Sequence, residues 1–425
     1  MRIAVVGLGH IGLPLAVQYA GRGHEVIGCD VAEWIVDAIN RGESPHHDER
    51  ALDERVPQLV ASGRLRATTD DAEGVRGAEA VIVIVPVVVD AERQVDFGPI
   101  DAATRDIARG LQPGTLVVYE TTLPVGTTRD RFGPMLEQGS GLKVDRDFHL
   151  AFSPERVLVG RVFLDLQRYP KIVGGTSEAS TQRAVAFYRD VLEPGSEVTA
   201  VTNAETAEMT KLAETTYRDV NIALANEYAR YAERRGIDVI EVIDAANSQP
   251  YSHIHQPGVG VGGHCIPVYP HFLFNTDADL RIPPLARDIN EGMGRFTVDL
   301  IERRLGGSLD GVPVLVLGVA YRADVREDAF SSAFRLRDEL LAAGARVYGH
   351  DPYFEAGHLR DLGFEPYALD APQEARVAVL QAAHGSYREL DPRSLPGLEL
   401  FVDGRNALDR TRFDEAGIPY VGIGH

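Results

Sequence analysis

The stretch 203–235 contains neither glycine nor proline, and so long a run without a breaker constrains the fold more than any other feature of the chain. Asn203 offers a capping side chain at its start and Gly236 a stop at its end. At 1.5 Å per residue the predicted helix is about 50 Å long, well beyond the usual three or four turns. A helix of that length suits a spine between two domains or a dimer interface. An ordinary core helix is the plainer alternative.

On either side of it the sequence alternates apolar runs with amphipathic stretches. The segments 3–6, 25–29, 80–85, 116–119 and 150–152 are apolar almost throughout, the pattern of strands covered on both faces in a parallel sheet. Residues 11–22 and 32–41 read as helices between them, so the first part predicts a doubly wound α/β sheet. The alternation returns near 312, with strands at 313–317, 346–348, 377–380 and 400–402 and a helix at 331–343. Boundaries near 200 and at Gly306-Gly307 give three segments, 1–200, 201–306 and 307–425. At roughly 100–200 residues per domain, 425 residues accommodate that division.

Charge narrows the partners. With 43 basic against 63 acidic residues the formal charge is -20, which repels nucleic acid backbones and anionic membranes. Any anionic ligand must therefore be gripped by a local cluster of cations. Two cysteines, Cys29 and Cys265, cannot make a disulfide framework, and a reducing cytoplasm is the expected location. The first residues lack the order of a signal peptide, and no apolar run is long enough for a membrane span. Lysine occurs only at Lys143, Lys171 and Lys211. Against that bias towards arginine, each lysine is a candidate for work that needs a compact ammonium with a tunable pKa.

Gly7-Leu8-Gly9-His10-Ile11-Gly12 follows the first strand and opens the first helix. In such a loop Gly7 permits the turn, Gly9 lets a pyrophosphate approach the backbone, and Gly12 lets helix and strand pack closely. The helix N-terminus offers free N–H groups to the phosphates. Asp30 ends the second strand, placed to accept hydrogen bonds from the adenosine ribose and to repel a 2′-phosphate. NAD is favoured over NADP. Cys29 beside it reads as a buried strand residue.

The segment 257–267, PGVGVGGHCIP, crowds Gly258, Gly260, Gly262 and Gly263 just before Cys265. Glycines there remove side chains where a ligand approaches the backbone. Cys265 is either a thiol nucleophile or a small buried residue. Several histidines lie nearby, but no second cysteine closes a zinc tetrahedron, so no metal is expected. A nucleophilic cysteine in a dehydrogenase suggests that an alcohol is oxidised to an aldehyde, captured as a thiohemiacetal, oxidised to a thioester and hydrolysed. That chemistry needs a cation at the oxyanion. Lys211 is the candidate, on a polar stripe with Thr215 and Arg218, although such a stripe is also what a solvated face looks like.

These residues together resemble the UDP-glucose/GDP-mannose dehydrogenase family over nearly the full length. The motifs are GLGHIGLPLA at 7–16, ETTLPVGTT at 120–128, SPERV at 153–157, TKLAETTYRDVNIALANE at 210–227, PGVGVGGHCIP at 257–267, LGVAYR at 317–322 and DGR at 403–405. The resemblance implies two Rossmann-like domains with parallel sheets, joined by a helical domain and paired as a homodimer through the long helix. It implies four-electron oxidation of a nucleotide-sugar C6 hydroxyl to a carboxylate with NAD.

By matched position, Cys265 is implied as nucleophile, Lys211 as the oxyanion-stabilising group, Glu155 as the residue linked to thioester hydrolysis and Thr122 as a positioner of water and nicotinamide. Gly7, Leu8, Gly9, Ile11, Gly12, Asp30, Pro86 and Thr122 are implied for NAD, and Arg326 is the candidate to reach its phosphate in place of an arginine the family pattern expects nearby. Glu155, Arg156, Lys211, Arg218, Asn221, His253, Gly258, Gly262, Tyr321, Arg322 and Arg405 are implied for a UDP-sugar. The forms of SPERV and PGVGVGGHCIP resemble the branch acting on UDP-N-acetyl-D-mannosamine, with UDP-glucose, UDP-N-acetylglucosamine and GDP-mannose as alternatives.

The chain departs from the family pattern at Thr215, where asparagine is usual, at Tyr269, where aspartate is usual, and at Ala329-Phe330, where an arginine is expected. A two-electron dehydrogenase with a structural Cys265, and a sugar-nucleotide-binding protein that has lost catalysis, are the competing expectations.

Overall fold

Apolar runs of four or five residues become inner strands because helices cover both faces of the sheet they join. In the computed structural model, which describes residues 1–47, 49–90 and 93–425, the chain divides into two units. The first comprises 1–214 with 271–276, the second 215–270 with 277–425.

The first unit is built on strands β1 (Arg2–Val6), β2 (Glu25–Cys29), β3 (Leu65–Thr68), β4 (Ala80–Val83), β5 (Leu116–Tyr119), β6 (His149–Phe152), β7 (Lys171–Gly175) and β8 (Val198–Ala200). They lie side by side as β8-β7-β6-β5-β4-β1-β2-β3. The part from β3 to β6 has the 3-2-1-4-5-6 order of a dinucleotide-binding fold. The core on it includes Ile3, Val5, Leu13, Tyr19, Ile82, Val118 and Tyr188.

One pair departs from the expected parallel arrangement. β6 and β7 run antiparallel, with Phe152 opposite Gly174. The segment between them returns the chain at the same end of the sheet instead of crossing over. Continued past the last paired residues, this register sets Glu155 opposite Lys171.

Helix α1 (Gly12–Gly21) follows β1, and α2 (Glu178–Val191) packs on the β6–β7 side. Helix α3 spans Ala204–Arg235. The Asn203 side chain caps it by accepting the Thr206 N–H at 2.9 Å, and Gly236, at φ +66°, ends it in the left-handed region open to glycine.

The second unit has strands β9 (Pro313–Leu317), β10 (Arg346–His350), β11 (Glu365–Pro366), β12 (Val377–Leu380), β13 (Leu400–Asp403) and β14 (Tyr420–Gly422). All pairs are parallel, in the order β11-β10-β9-β12-β13-β14, so the 3-2-1-4-5-6 arrangement occurs twice in the chain. Helices α4 (Ile282–Glu291) and α5 (Met293–Leu305) accompany this sheet. Within this unit α3 is joined to α4 by a buried bidentate pair. Arg287 donates to Asp219 at 2.8 and 2.6 Å, and Asn290 donates to the same carboxylate at 2.8 Å.

The two sheets share a further device. Gly7 (φ +96°) ends β1 and Gly318 (φ +85°) ends β9. The aspartate that follows the next strand accepts backbone N–H groups from the turn after each glycine. Asp30 takes Leu8 N–H at 2.8 Å and Ala32 N–H at 2.9 Å. Asp351 takes Val319 N–H at 2.7 Å, Ala320 N–H at 2.8 Å, Tyr353 N–H at 2.9 Å and His384 Nε2 at 3.0 Å.

Candidate active site

The glycine loop of the first unit has three separate reasons for its three glycines. A Cβ on Gly7 would press on the Ile84 carbonyl at 3.0 Å and would need a strained φ. A Cβ on Gly12 would fall 1.8 Å from the Gly7 oxygen, so helix and strand could not close. On Gly9 the added atom meets nothing within 4 Å. Only at Gly9 is the space open rather than filled by the protein, as a backbone that a pyrophosphate must approach requires. Asp30 is half-buried at the end of β2, with one N–H bonded to each carboxylate oxygen. Ile11 is half-buried and Pro86 exposed. These residues fit a dinucleotide.

Beyond the glycine loop, the C-terminal ends of β5 and β6 carry a buried cluster of charges. Lys171 Nζ lies 2.7 Å from Glu120 Oε2 and 2.7 Å from Glu155 Oε2. Tyr188 of α2 donates its hydroxyl to Glu120 Oε1 at 2.5 Å. The second Glu155 oxygen accepts the Arg156 N–H at 2.7 Å, and its carbonyl accepts Lys211 Nζ at 2.7 Å. Burial pushes the Glu120 carboxyl up to about 7, against the pull of Lys171. Burial also acts on Glu155, but the Lys171 charge and the hydrogen bonds outweigh it and hold that carboxyl below its ordinary range. A cavity of about 10 Å³, near the lower limit for one water, is lined by Glu155, Arg156, Asp165 and Lys171 among others.

Arg156 reaches away from this cluster, to Glu214 at 2.5 Å and the Pro170 carbonyl at 3.1 Å. Thr122 is buried in the loop after β5. Glu208 of α3 grips the far end of that loop, accepting Gly126 N–H at 2.6 Å and Thr128 N–H at 2.9 Å. Burial pushes the Glu208 carboxyl up to about 7.

In the second unit the glycine-rich segment lies against the chain's own C-terminal part. A Cβ at Gly258 would stand 2.8 Å from Arg405 Nη1, and one at Gly260 2.9 Å from Ser332 Cβ. At Gly262 it would meet the Phe330 carbonyl and Tyr321, and at Gly263 the Tyr321 ring at 2.8 Å. At all four positions the space a Cβ would need is taken by this chain's own atoms, so packing within this unit already requires the glycines.

Arg405 is enclosed there, donating to the Gln381 carbonyl at 2.5 Å, the Gly260 carbonyl at 3.0 Å and Ser332 Oγ at 3.2 Å. Burial lowers its guanidinium to about 10. Cys265 is half-buried and unpaired by any disulfide, and its carbonyl accepts the Tyr269 N–H at 2.9 Å. Asn221 donates to the His253 carbonyl at 2.7 Å and accepts His255 N–H at 2.9 Å, tying the segment before the glycines to α3. Arg218, His253, Arg322 and Arg326 are exposed, and Tyr321 accepts Arg322 Nε at 3.0 Å. Among the described residues, no group of three or more His, Cys, Asp or Glu stands ready to hold a metal ion, and no helix is long and apolar enough to cross a membrane.

Sequence reasoning missed Glu120 and Lys171 as members of the site. The signal was present: Lys171 is one of three lysines in the chain.

The sheet order, the glycine loop and Asp30 define a dinucleotide-binding α/β protein. Comparison with known proteins carries this further. The UDP-glucose/GDP-mannose dehydrogenase family matches residues 1–192 with its NAD binding domain, 205–291 with its central domain and 315–410 with its UDP binding domain. The UDP-N-acetyl-D-mannosamine dehydrogenase of Pyrococcus horikoshii is 34% identical over 432 residues, covering 100% of this chain and 99% of its own. A solved structure of the UDP-D-ManNAc dehydrogenase from the same organism superposes with a TM-score of 0.89 at 33% identity, covering 100% and 99% of the two chains. The NDP-N-acetyl-D-galactosaminuronic acid dehydrogenase of Ralstonia solanacearum is 35% identical, covering 96% of this chain and 97% of its own. The chain belongs to the UDP-glucose/GDP-mannose dehydrogenase family. It is an NAD-dependent nucleotide-sugar dehydrogenase.

Proposed function

We propose that the chain oxidises the C6 hydroxyl of UDP-N-acetyl-D-mannosamine to the carboxylate, removing four electrons with two equivalents of NAD. The observation that supports this most is similarity along the whole chain to relatives named for that sugar. NAD, when bound, supplies the hydride acceptor. Gly7, Leu8, Gly9, Ile11, Gly12, Asp30, Pro86 and Thr122 of a nucleotide-binding segment 1–200 are assigned to hold it, together with Arg326 of the segment 307–425. Segment 201–306 carries Lys211 and Cys265, and 307–425 holds the UDP group.

Cys265 adds its sulfur to the aldehyde carbon, forming a C–S bond, while the Lys211 ammonium stabilises the oxygen that gains charge. After the second oxidation the product is a thioester. Water then attacks the carbonyl carbon as Glu155 takes its proton, the C–S bond breaks and the thiolate leaves. Thr122 orients the water. The sum is one alcohol, one water and two NAD giving one carboxylate, two NADH and three protons. Arg156, Arg218, Asn221, His253, Gly258, Gly262, Tyr321, Arg322 and Arg405 are assigned to the sugar nucleotide.

Tyr217, Leu224, Tyr228 and Tyr231 stand exposed at helical spacing on α3, and a homodimer that covers them is proposed. Two free cysteines suit a reducing cytoplasm.

A panel of UDP-hexoses with NAD, read at 340 nm and by product mass, tests the assignment. Two NADH per sugar and an acid product are expected with UDP-N-acetyl-D-mannosamine. One NADH with an aldehyde product would overturn the four-electron reaction, and faster turnover of another sugar would overturn the substrate.

A further inference from the structure

Two carboxylates on a single ammonium leave one negative charge in excess. Here all three groups are enclosed: the Lys171, Glu120 and Glu155 side chains are 6%, 0% and 10% exposed. Excess charge in such surroundings is costly, and the cluster relieves it by holding a proton. The geometry decides where that proton resides. Glu155 has Lys171 on one oxygen and the Arg156 N–H on the other, both favouring its ionised form.

Glu120 has Lys171 on one oxygen and on the other the Tyr188 hydroxyl, which, unlike a backbone N–H, can accept from a protonated carboxyl, so Glu120 is the member with room for the proton. The groups that face Glu120 are Lys171 from β7, Glu155 from the loop after β6, Tyr188 from α2 and Tyr19 from α1. Glu155 is faced by Lys171, Glu120 and Arg156, with Lys211 of α3 at its carbonyl. The Lys171 ammonium also lies 5.0 Å from the Tyr188 ring centroid, which adds to its restraint.

We propose that Glu120 and Lys171 are positioning residues for Glu155: the ammonium fixes the carboxylate in place, and the protonation state of Glu120 sets how much of the ammonium's charge Glu155 feels. With Glu120 protonated, Glu155 has the whole charge of Lys171 and is a weak base. With Glu120 ionised, the two carboxylates share it and Glu155 becomes the stronger base. Release of the acid from Cys265 therefore rises with pH as Glu120 loses its proton, near neutrality, and not as Glu155 loses its own. A lysine serves where an arginine does not, because a compact ammonium can sit between two carboxylates that approach from opposite sides.

The inference rests on the role of Glu155 proposed above, and the test separates the two. Glu120→Gln, Glu155→Gln and the unaltered full-length chain are mixed with UDP-N-acetyl-D-mannosamine and NAD in stopped flow from pH 6 to 9. The NADH burst is read apart from the steady state, and thermal melts check folding. In Glu120→Gln the burst amplitude and kcat/KM should be unchanged, the steady-state rate at pH 8 should fall about tenfold with KM falling in step, roughly the effect of a base one pKa unit weaker, and its rise between pH 6 and 8 should flatten.

If Glu155→Gln slows acid release and Glu120→Gln keeps the unaltered pH profile, the coupling is refuted while Glu155 keeps its role. If Glu155→Gln releases acid at the normal rate, the role of Glu155 is refuted and the inference goes with it. Should Glu120→Gln not fold, Lys171→Arg is measured in its place. A shifted pH profile in that variant supports the coupling, and an unshifted one refutes it.

Discussion

Removing the Arg287 guanidinium would show how far the second unit depends on one enclosed ion pair. Arg287 and Asp219 are 3% and 0% exposed at the side chain. Truncating one partner of such a pair costs about 3–5 kcal/mol, since the charge left behind has neither counterion nor water. For a unit of this size each kcal/mol lowers Tm by about 2–4 °C, so Arg287→Leu should lose roughly 6–20 °C at pH 8.

The orphan in that variant is a carboxylate, which can escape by taking a proton. Burial already pushes Asp219 above the ordinary carboxylate range, with Arg287 and Asn290 pulling the other way. Without the arginine it rises further. A carboxyl with a raised folded-state pKa costs most above that pKa, and the cost shrinks as pH falls towards the unfolded value, by about 1.4 kcal/mol per unit. Asp219→Asn leaves a guanidinium instead, charged throughout this range, and its deficit should stay flat. Thermal melts of both variants between pH 5 and 8, against the unaltered chain, make the comparison. The two should be similarly destabilised at pH 8 and diverge at pH 5, where Arg287→Leu recovers. Parallel curves, or losses under the 1 kcal/mol typical of an exposed pair, would refute the reasoning.

The glycine loop predicts a split between fold and ligand. Gly12→Ala, which sets a Cβ 1.8 Å from the Gly7 oxygen, should cost about 1–3 kcal/mol of stability, whereas Gly9→Ala should leave Tm unchanged and weaken NAD by calorimetry. Asp30→Ala removes the acceptor of two N–H groups and should raise the Kd for NAD about tenfold, or ~1.4 kcal/mol; an unchanged Kd would rule out contact with the ribose. Glu208, raised to about 7 by burial, binds its proton more tightly in the folded state, so stability should fall as pH rises from about 4.5 to 7. Melting curves of Glu208→Gln should lack that slope.

What could be read from the sequence was local. The first strand, the glycine loop and Asp30 announce themselves because turn chemistry and ligand chemistry act within a few residues, and the helix over 203–235 is set by the absence of breakers. The charged cluster was hidden because Glu120 and Lys171 are 51 residues apart and meet through strand order and through the reversed β6–β7 pair. The scarcity of lysine was a pointer to Lys171, but it could not say which carboxylates would flank it. The packing role of the glycines before Cys265 was hidden for the same reason. The Tyr321, Ser332 and Arg405 groups that fill their space come from far along the chain, and no local pattern distinguishes a glycine that admits a ligand from one that admits the protein itself.

Asp30 and Asp351 hold equivalent places in two sheets of the same strand order, yet they differ in unused capacity. A carboxylate can accept about four hydrogen bonds. Asp351 already accepts four, and at 3% exposure it faces no solvent. Because His384 Nδ1 takes the Asp324 N–H, its proton sits on Nε2 and points at Asp351. Asp30 accepts two and stays half-exposed. One copy of the device is enclosed and serves as an internal rivet, and the other keeps acceptor capacity that faces solvent. Grafting a glycine loop onto the second sheet would therefore not create a second dinucleotide site unless His384 were removed as well.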